Sequence, residues 1–294
     1  MLAKVRAECR SNVMIAGVVA AVVVALVAVI AIGAQRQKTA LSAQIDRLIE
    51  AGRAESAAPV ISHPVDGVPA PVARYLRLAL PTPKPIEEVR LRQVGTLRTD
   101  VNTDRWMDFD ADHLVVPRAG GFVWDARVRV APLLHVRVRD ALIEGRGSGQ
   151  VSLLSAFPVG ADGGTPEMNS GSLHRYLAEA VWYPTALLPG PTLKWTDIDA
   201  SRALATLTNH GVTVSLEFRF AEGGEVTGIY TPGRWGSFPD GYKQVPWEGH
   251  FRGYRPWGGV VVPSEGDVGW YVNDEWHAVW RGTVIGFVIR TERR

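Results

Sequence analysis

The chain has 294 residues, with 32 basic and 30 acidic side chains and a formal net charge of +2. This balance argues against nucleic acid as a partner, because proteins that bind nucleic acids concentrate positive charge on one face. The only cysteine, Cys9, precedes the longest apolar segment, so the globular part has no disulfide and no thiol chemistry. Ten Trp and thirty Gly residues suit a sheet-rich protein.

A short basic tail, residues 1–12, precedes an apolar segment from Val13 to Ala34 that carries no charged residue. As a helix, its roughly 22 residues span about 33 Å, enough to cross a hydrocarbon core of about 30 Å. A cleaved signal peptide is the alternative, but its apolar region is usually only about 7–15 residues long. We therefore expect a transmembrane helix over residues 13–34 that anchors the protein in a membrane.

The orientation of this anchor depends on the basic residues at its two ends. They are Lys4, Arg6 and Arg10 before the segment and Arg36, Lys38 and Arg47 after it. The positive-inside rule compares such counts, which nearly tie here. A short basic tail before a first span usually stays in the cytoplasm, so we expect the globular domain on the extracytoplasmic side of the cell membrane.

Residues 35–71 connect the anchor to the globular part. Apolar residues recur there at helical spacing, at Leu41, Ile45, Leu48 and Ile49. They predict an amphipathic juxtamembrane helix, which either lies in the headgroup layer or extends the anchor. A Pro- and Ala-rich linker follows, and Pro71 suits the first position of a short helix that ends at Leu80.

From Glu87 onward, apolar and polar residues alternate, which predicts antiparallel strands with one buried and one solvated face. The predicted strands cover residues 107–112, 122–130, 134–139, 212–220, 226–230, 249–254, 259–263, 268–272 and 276–289. One helix, from Ser172 to Trp182, interrupts them, with Ser172 as its cap. We expect residues 72–294 to form a single β-rich (α+β) domain: a strongly curved antiparallel sheet or half-barrel of about ten strands with one or two covering helices. Its interior is either packed core or a ligand cavity.

The segment from His174 to Pro184 resembles a site more than any other stretch. Arg175 and Glu179 are four residues apart and can pair on one helical face. A buried Glu179 with a raised pKa and His174 as its proton partner would indicate an enzyme. The same residues also suit a helix that seals the mouth of a barrel, and we favour this structural interpretation over catalysis.

Other motifs point away from catalysis and cofactors. The glycine-rich residues 144–149 lack the lysine of a phosphate-binding loop and the spacing of a hydrolase elbow, so they predict a tight hairpin turn. The seven histidines show no metal-binding spacing. We predict no catalytic residue, no metal and no cofactor.

Most of the tryptophans fall in the second half of the chain. They are Trp182, Trp195, Trp235, Trp247, Trp257, Trp270, Trp276 and Trp280. One interpretation is that they fill the core and cap the sheet edges. The other is that they line an aromatic cavity or a rim that faces a membrane, because Trp combines a large apolar area with one hydrogen-bond donor.

Three stretches and one spaced series carry a resemblance to a known family: PVARYLRLAL (71–80), GFVWDAR (121–127), RYLAEAVWYPTALLP (175–189) and the late series R-W…PW…Y…P…W. They resemble a family of uncharacterised bacterial membrane-anchored proteins, a domain of unknown function, and the resemblance covers most of the chain after about Pro69. This family has no established activity, so the resemblance implies no catalytic residues. The order of strands, one helix and more strands is more loosely similar to the LolA- and LppX-like half-barrel lipoprotein carriers, although a transmembrane anchor departs from a freely shuttling carrier.

These patterns favour a membrane-anchored, non-enzymatic binding protein of the bacterial envelope that holds a lipid or another apolar ligand in its curved sheet. The candidate ligand-binding residues are Trp124, Arg175, Trp182, Tyr183, Trp195 and Trp247. The alternative is a structural or interaction module with a filled core that binds a protein partner in the envelope. The partner itself is not identified by the sequence.

Overall fold

The computed structural model describes residues 2–55, 67–82, 84–101, 103–132, 134–238 and 240–291, so most of the predicted linker lies outside the described residues. The helices are α1 (Leu2–Ala54), α2 (Ala70–Ala79) and α3 (Pro166–Glu179), with 3-10 turns at Pro117–Ala119, Ala180–Trp182 and Pro184–Leu187. The strands are β1 (Ile86–Leu97), β2 (Met107–Val116), β3 (Gly121–Ala131), β4 (Leu134–Ile143), β5 (Arg146–Leu153), β6 (Phe157–Gly163), β7 (Leu193–Asp199), β8 (Arg202–Asn209), β9 (Val212–Phe220), β10 (Val226–Phe238), β11 (Gly241–Trp257), β12 (Val260–Val272) and β13 (Glu275–Thr291).

The described strands form one antiparallel sheet in the order β6-β5-β4-β3-β2-β1-β13-β12-β11-β10-β9-β8-β7. Each strand pairs with the next strand along the chain, except for the two edge strands β6 and β7, which α3 connects. In addition, β1 pairs with β13 in the middle of the sheet. The sheet curls around α3, so that the β8–β9 turn reaches the β2–β3 connection, where Asn209 donates a hydrogen bond to the Gly120 carbonyl (3.2 Å). The prediction of a strongly curved antiparallel half-barrel is confirmed.

The strand count is thirteen among the described residues, rather than about ten. The predicted strands 259–263 and 268–272 belong to one strand, β12. Strand β1, in the middle of the sheet, and strands β5 to β8, toward its two ends, were not among the predicted segments. The predicted turn at 144–149 contains a two-residue hairpin turn, Glu144 and Gly145, both with positive φ, and β5 begins directly after it.

Helix α3 lies on the concave face of the sheet and begins earlier than the sequence predicted. Pro166 occupies its first turn, and the Thr165 hydroxyl accepts a hydrogen bond from the Met168 amide (3.2 Å), so Thr165 rather than Ser172 caps the helix. The helix passes into the 3-10 turn that carries Trp182, whose side chain is buried in the main core. This core fills most of the concave side of the sheet.

The C-terminal part of α1 packs on the opposite, convex face of the sheet. Leu48 is fully buried there against a second apolar cluster that includes Leu114, Val123 and Ala141. Arg47 donates a hydrogen bond to the Glu144 carboxylate (2.7 Å), close to the β4–β5 turn. The predicted juxtamembrane helix therefore extends the apolar helix without a break and docks on the sheet.

The N-terminal part of α1 makes no such packing. Except for Ile30, its large apolar side chains between Met14 and Ile32 are all at least half exposed. The described helix contains a stretch of mean hydropathy 3.2 that is long and apolar enough to cross a membrane, a property that signal sequences share. An exposed apolar surface of this extent is unfavourable in water, so it is consistent with a membrane environment.

Candidate ligand-binding cavity

A cavity of about 250 Å³ lies on the concave side, between the C-terminal half of α3 and the sheet. Its apolar walls come from both halves of the sheet and from the turn after α3, and they include Leu97, Trp124, Trp182, Trp247, Trp270 and Trp280. Aromatic and aliphatic walls with a few polar groups are typical of small-molecule sites. The polar groups here are charged, and each has a different environment.

Arg175, on α3, occupies the centre of a charged cluster in the cavity wall. Its guanidinium donates hydrogen bonds to Asp140 (2.7 Å) and to Glu179 (2.9 Å). It also lies over the rings of Phe122 and Trp124, about 5.0 and 4.9 Å from their centroids. Burial alone would lower the pKa of Arg175, but the two carboxylates more than offset this effect and raise it. The guanidinium therefore stays charged inside the wall.

Glu179 has two basic neighbours, Arg175 and His113. The His113 Nε2 atom lies 3.5 Å from one Glu179 carboxylate oxygen, and neither of these two atoms has a hydrogen-bond partner. Burial raises the pKa of Glu179, and the Arg175 cation opposes that shift only in part. Burial also lowers the pKa of His113 well below its usual value, with Arg175 acting in the same direction. The neutral imidazole is thus the favoured form beside this carboxylate.

Arg234, on β10, faces the same cavity but has no carboxylate partner among the described residues. Its hydrogen bonds go to the Gly171 carbonyl (3.0 and 3.2 Å). Its guanidinium lies over the rings of Trp247 (4.6 Å) and Trp270 (5.1 Å). Burial, and then the nearby Arg175 cation, lower the pKa of Arg234 to about 10. It is still protonated at neutral pH, so it is a cation positioned to receive an anionic group.

The structure brings four of the six candidate residues to the cavity: Trp124, Arg175, Trp182 and Trp247. Tyr183 and Trp195 are elsewhere. Tyr183 is fully buried and donates a hydrogen bond to the Tyr176 carbonyl (2.6 Å). Trp195 donates to the Leu187 carbonyl (3.0 Å) and packs edge-on against Phe218. Both side chains pack in or against the main core and do not line the cavity.

His174 does not approach Glu179 as the enzyme interpretation required. Its Nδ1 atom lies 3.2 Å from the Ser170 carbonyl, and burial, followed by the Arg234 cation, lowers its pKa to about 4. The histidine that does lie beside Glu179 is His113, which sequence reasoning missed. Phe109 and Ala111 mark the buried face of the same strand, and continuing their alternation to residue 113 would have placed His113 on the concave side.

A curled antiparallel half-barrel with an aromatic, charged cavity and a long N-terminal apolar helix defines the class of this protein. The chain belongs to DUF6544, a family of unknown function, whose model matches residues 60–282. The comparison with curated proteins gave no significant match. Among solved structures, the chain is similar to a LolA superfamily protein from Nitrosomonas europaea, with a TM-score of 0.39 and 9% identity over 76% of this chain and 94% of that one. A likeness this weak supports no inference about the ligand.

Proposed function

We propose that this protein is a membrane-anchored, non-enzymatic binding protein of the bacterial envelope that holds an amphipathic anion, such as a lipid, in the concave cavity. The observation that carries the proposal is the cavity itself, which joins aromatic walls to the unpaired cation of Arg234. Apolar walls accept a hydrocarbon chain, and a guanidinium between aromatic rings suits a carboxylate or phosphate group.

The size of the cavity limits what it holds. Its volume of about 250 Å³ is slightly below the roughly 300–1,000 Å³ of drug-sized ligand pockets. This volume is about that of eight water molecules in liquid water, at roughly 30 Å³ each. One acyl chain segment or one small amphiphile fits this space better than a complete two-chain lipid. We expect the rest of a larger lipid to remain outside.

The energetics show why the charge matters. Burial of about six methylene groups contributes about 5 kcal/mol at about 0.8 kcal/mol each. That gross value corresponds to an affinity near the millimolar range, before the cost of immobilising the ligand is subtracted. A charge-assisted hydrogen bond adds roughly 1.5–3 kcal/mol. The anionic group is therefore the part of the ligand that makes the complex stable, and Arg234 is the residue that selects it.

In this proposal α1 spans the membrane and the domain lies on its extracytoplasmic side. The uninterrupted helix supports an anchor rather than a cleaved signal, because residues 35–54 of the same helix are docked on the sheet. The basic tail before the span supports the orientation. An envelope binding protein held in this way exchanges its ligand with its own membrane or with a neighbouring partner.

The test is to purify the full-length protein in a non-lipid detergent, extract it with organic solvent and identify bound lipids by mass spectrometry. Native mass spectrometry then gives the stoichiometry. Val138→Trp places a large ring in the cavity, and Val136→Trp is its matched control, because Val136 lies on the same strand and face but does not line the cavity. Arg234→Gln removes the cation.

We expect one anionic lipid class at near-equimolar amount in the parent protein and in Val136→Trp, and its loss in Val138→Trp and Arg234→Gln. A protein that folds without any bound lipid would overturn the proposal and favour the interaction module. Equal retention of lipid by all four proteins would mean that detergent-like association on α1, rather than the cavity, holds the lipid.

A further inference from the structure

The exposed apolar segment of α1 ends beside one end of the half-barrel. Along the convex face, α1 runs from Gly52, which touches Val116 at the end of β2, to Gly33. A Cβ atom on Gly33 would lie only 2.7 Å from the carbonyl oxygen of Ala156, in the β5–β6 turn. The helix and this turn are therefore in direct backbone contact.

The length of the apolar segment sets the position of the bilayer relative to this contact. At 1.5 Å per residue, the helix from Met14 to Gly33 is about 30 Å long, which matches the thickness of a hydrocarbon core. If this segment fills the core, Gly33 lies at the boundary between hydrocarbon and headgroups. Ala156 then lies at the same boundary, and the turn around it contacts the headgroup layer.

The β3–β4 and β5–β6 turns form one surface at this end. His135 and Ser155 form a hydrogen bond between their side chains (2.9 Å), and the Leu154 amide donates to the His135 carbonyl (3.0 Å). Next to these bonds, Leu134 and Val159 are 39% and 63% exposed. The strand residues next to the two turns thus include exposed apolar side chains.

Exposed cations surround these apolar side chains. Arg36 and Lys38 follow the apolar segment on α1, and Arg127 and Arg129 lie on the outer face of β3. Among the described residues, Arg129 alone in this group has a nearby carboxylate partner, Asp108 at 3.6 Å, and both side chains of that pair are well exposed. Basic residues beside apolar ones at a membrane boundary are attracted to anionic lipid headgroups.

On β1 and β13 the cavity lies toward the same end of the molecule, whereas its lining residues Trp124 and Asp140 lie farther from the β3–β4 turn. Leu97 and Arg98 line it where β1 ends, and Val279 and Trp280 line it a few residues after β13 begins. Because neighbouring strands are antiparallel, the end of β1, the start of β13 and the β3–β4 turn occupy one end of the sheet.

We propose that the β3–β4 and β5–β6 turns rest on the headgroup layer of the bilayer that contains α1, and that the cavity opens toward this bilayer. The proposal uses the anchor of the proposed function and adds the surface that contacts the membrane and the source of the ligand. A lipid then enters from the adjacent leaflet without crossing water. This geometry offsets the modest volume of the cavity, because the part of a lipid that does not fit can stay in the membrane.

The test measures the distance of single probes from the bilayer in full-length protein reconstituted into liposomes of phosphatidylcholine and phosphatidylglycerol. Cys9→Ser removes the native thiol, and Val159→Cys carries a polarity-sensitive fluorophore at the proposed contact. Val288→Cys is the matched control, because Val288 is also a strand valine with 63% exposure. It lies eight residues beyond Trp280 on β13, about 26 Å from that end of the sheet at roughly 3.3 Å per residue.

We expect a lipid with a spin-labelled headgroup to quench the probe at residue 159 severalfold more than the probe at residue 288, with a blue-shifted emission at residue 159 only. Equal quenching at the two positions would overturn the proposal. The quenching does not depend on whether the cavity is occupied. A lipid-free cavity would therefore leave the membrane contact standing, and a failed contact would leave lipid binding standing.

Discussion

Replacing Arg175 with methionine tests whether the charged cluster in the cavity wall is a structural unit. The substitution keeps a long apolar side chain against Phe122 and Trp124 but removes the cation. It leaves Glu179 unpaired except for His113, which stays neutral because its pKa is lowered by burial. Asp140 also loses its partner, but it is partly exposed and is hydrated at little cost.

The magnitude follows from these environments. Loss of one partner of a buried ion pair costs about 3–5 kcal/mol, mostly because the other charge is left buried. The Arg175 and Glu179 side chains are 18% and 16% exposed, so some hydration remains and we expect a cost of about 3 kcal/mol. For a domain of this size that corresponds to a decrease in melting temperature of roughly 6–12 °C.

The assay is thermal unfolding of the full-length protein in detergent at neutral pH. The double variant Arg175→Met/Glu179→Gln removes both charges and is expected to recover at least half of the lost stability, because no unpaired carboxylate remains. Arg129→Met is the control: this arginine also pairs with an aspartate but is exposed, and its loss should cost less than about 1 kcal/mol. A melting temperature of Arg175→Met equal to that of Arg129→Met would refute the reasoning.

The remaining predictions concern stability. Since burial lowers the pKa of His174 to about 4, the stability from its neutral form is complete above about pH 6.5 and is lost as the pH falls. Chemical unfolding at pH 5 should therefore show a loss of stability about 2 kcal/mol larger in the parent protein than in His174→Gln. Parallel pH profiles of the two proteins would contradict this. Gly95→Ala should lower the free energy of unfolding by up to about 3 kcal/mol, because the new methyl group meets the backbone of β13 where the two halves of the sheet join. Its control, Gly160→Ala, has open space around the new methyl group and should leave the melting temperature unchanged. Leu48→Ala should cost about 3 kcal/mol and expose the end of α1 to protease, whereas Leu26→Ala, in the exposed apolar segment, should change neither.

Much of the fold was predictable from the sequence because several strands alternate strictly between apolar and polar residues. Residues 122–130 and 212–220 each present one apolar face, and both proved to be strands of the curved sheet. The strands that were missed are β1, in the middle of the sheet, and β5 to β8, toward its two ends. In β5 and β6, Gly, Ser and Pro replace the apolar alternation, and β6, as an edge strand, buries little side-chain surface.

The start of α3 was misplaced for a local reason. Periodicity begins at Leu173, so Ser172 appeared to be the cap, but the first turn of the helix contains polar residues that contact β5 and carry no apolar signal. The Thr-Pro pair at residues 165 and 166 is a better indicator of a helix start than the periodicity.

The cavity residues were predictable only in part, since a cavity is a property of tertiary packing. Sequence reasoning identified Arg175 and Trp182 because they lie on or beside a short helix with a clear face. It did not identify Arg234 as a cavity residue, although the Arg234–Trp235 pair belongs to the late series that carries the family resemblance. The pairing of β10 with β11, shifted by an irregularity after Thr231, brings Arg234 toward Trp247, and no short-range pattern encodes that register.

Strands β3 and β4 contact α1 on their outer face and the cavity on their inner face. On β3, Val123 points outward into the cluster that holds Leu48 of α1, while the adjacent residue Trp124 points inward and lines the cavity. The alternation on β4 is the same, with Ala141 facing α1 and Asp140 facing Arg175. Because successive side chains on a strand share one backbone, the helix cannot shift on the outer face without moving the wall of the cavity. The docked part of the 53-residue helix is therefore coupled to the cavity wall through β3 and β4.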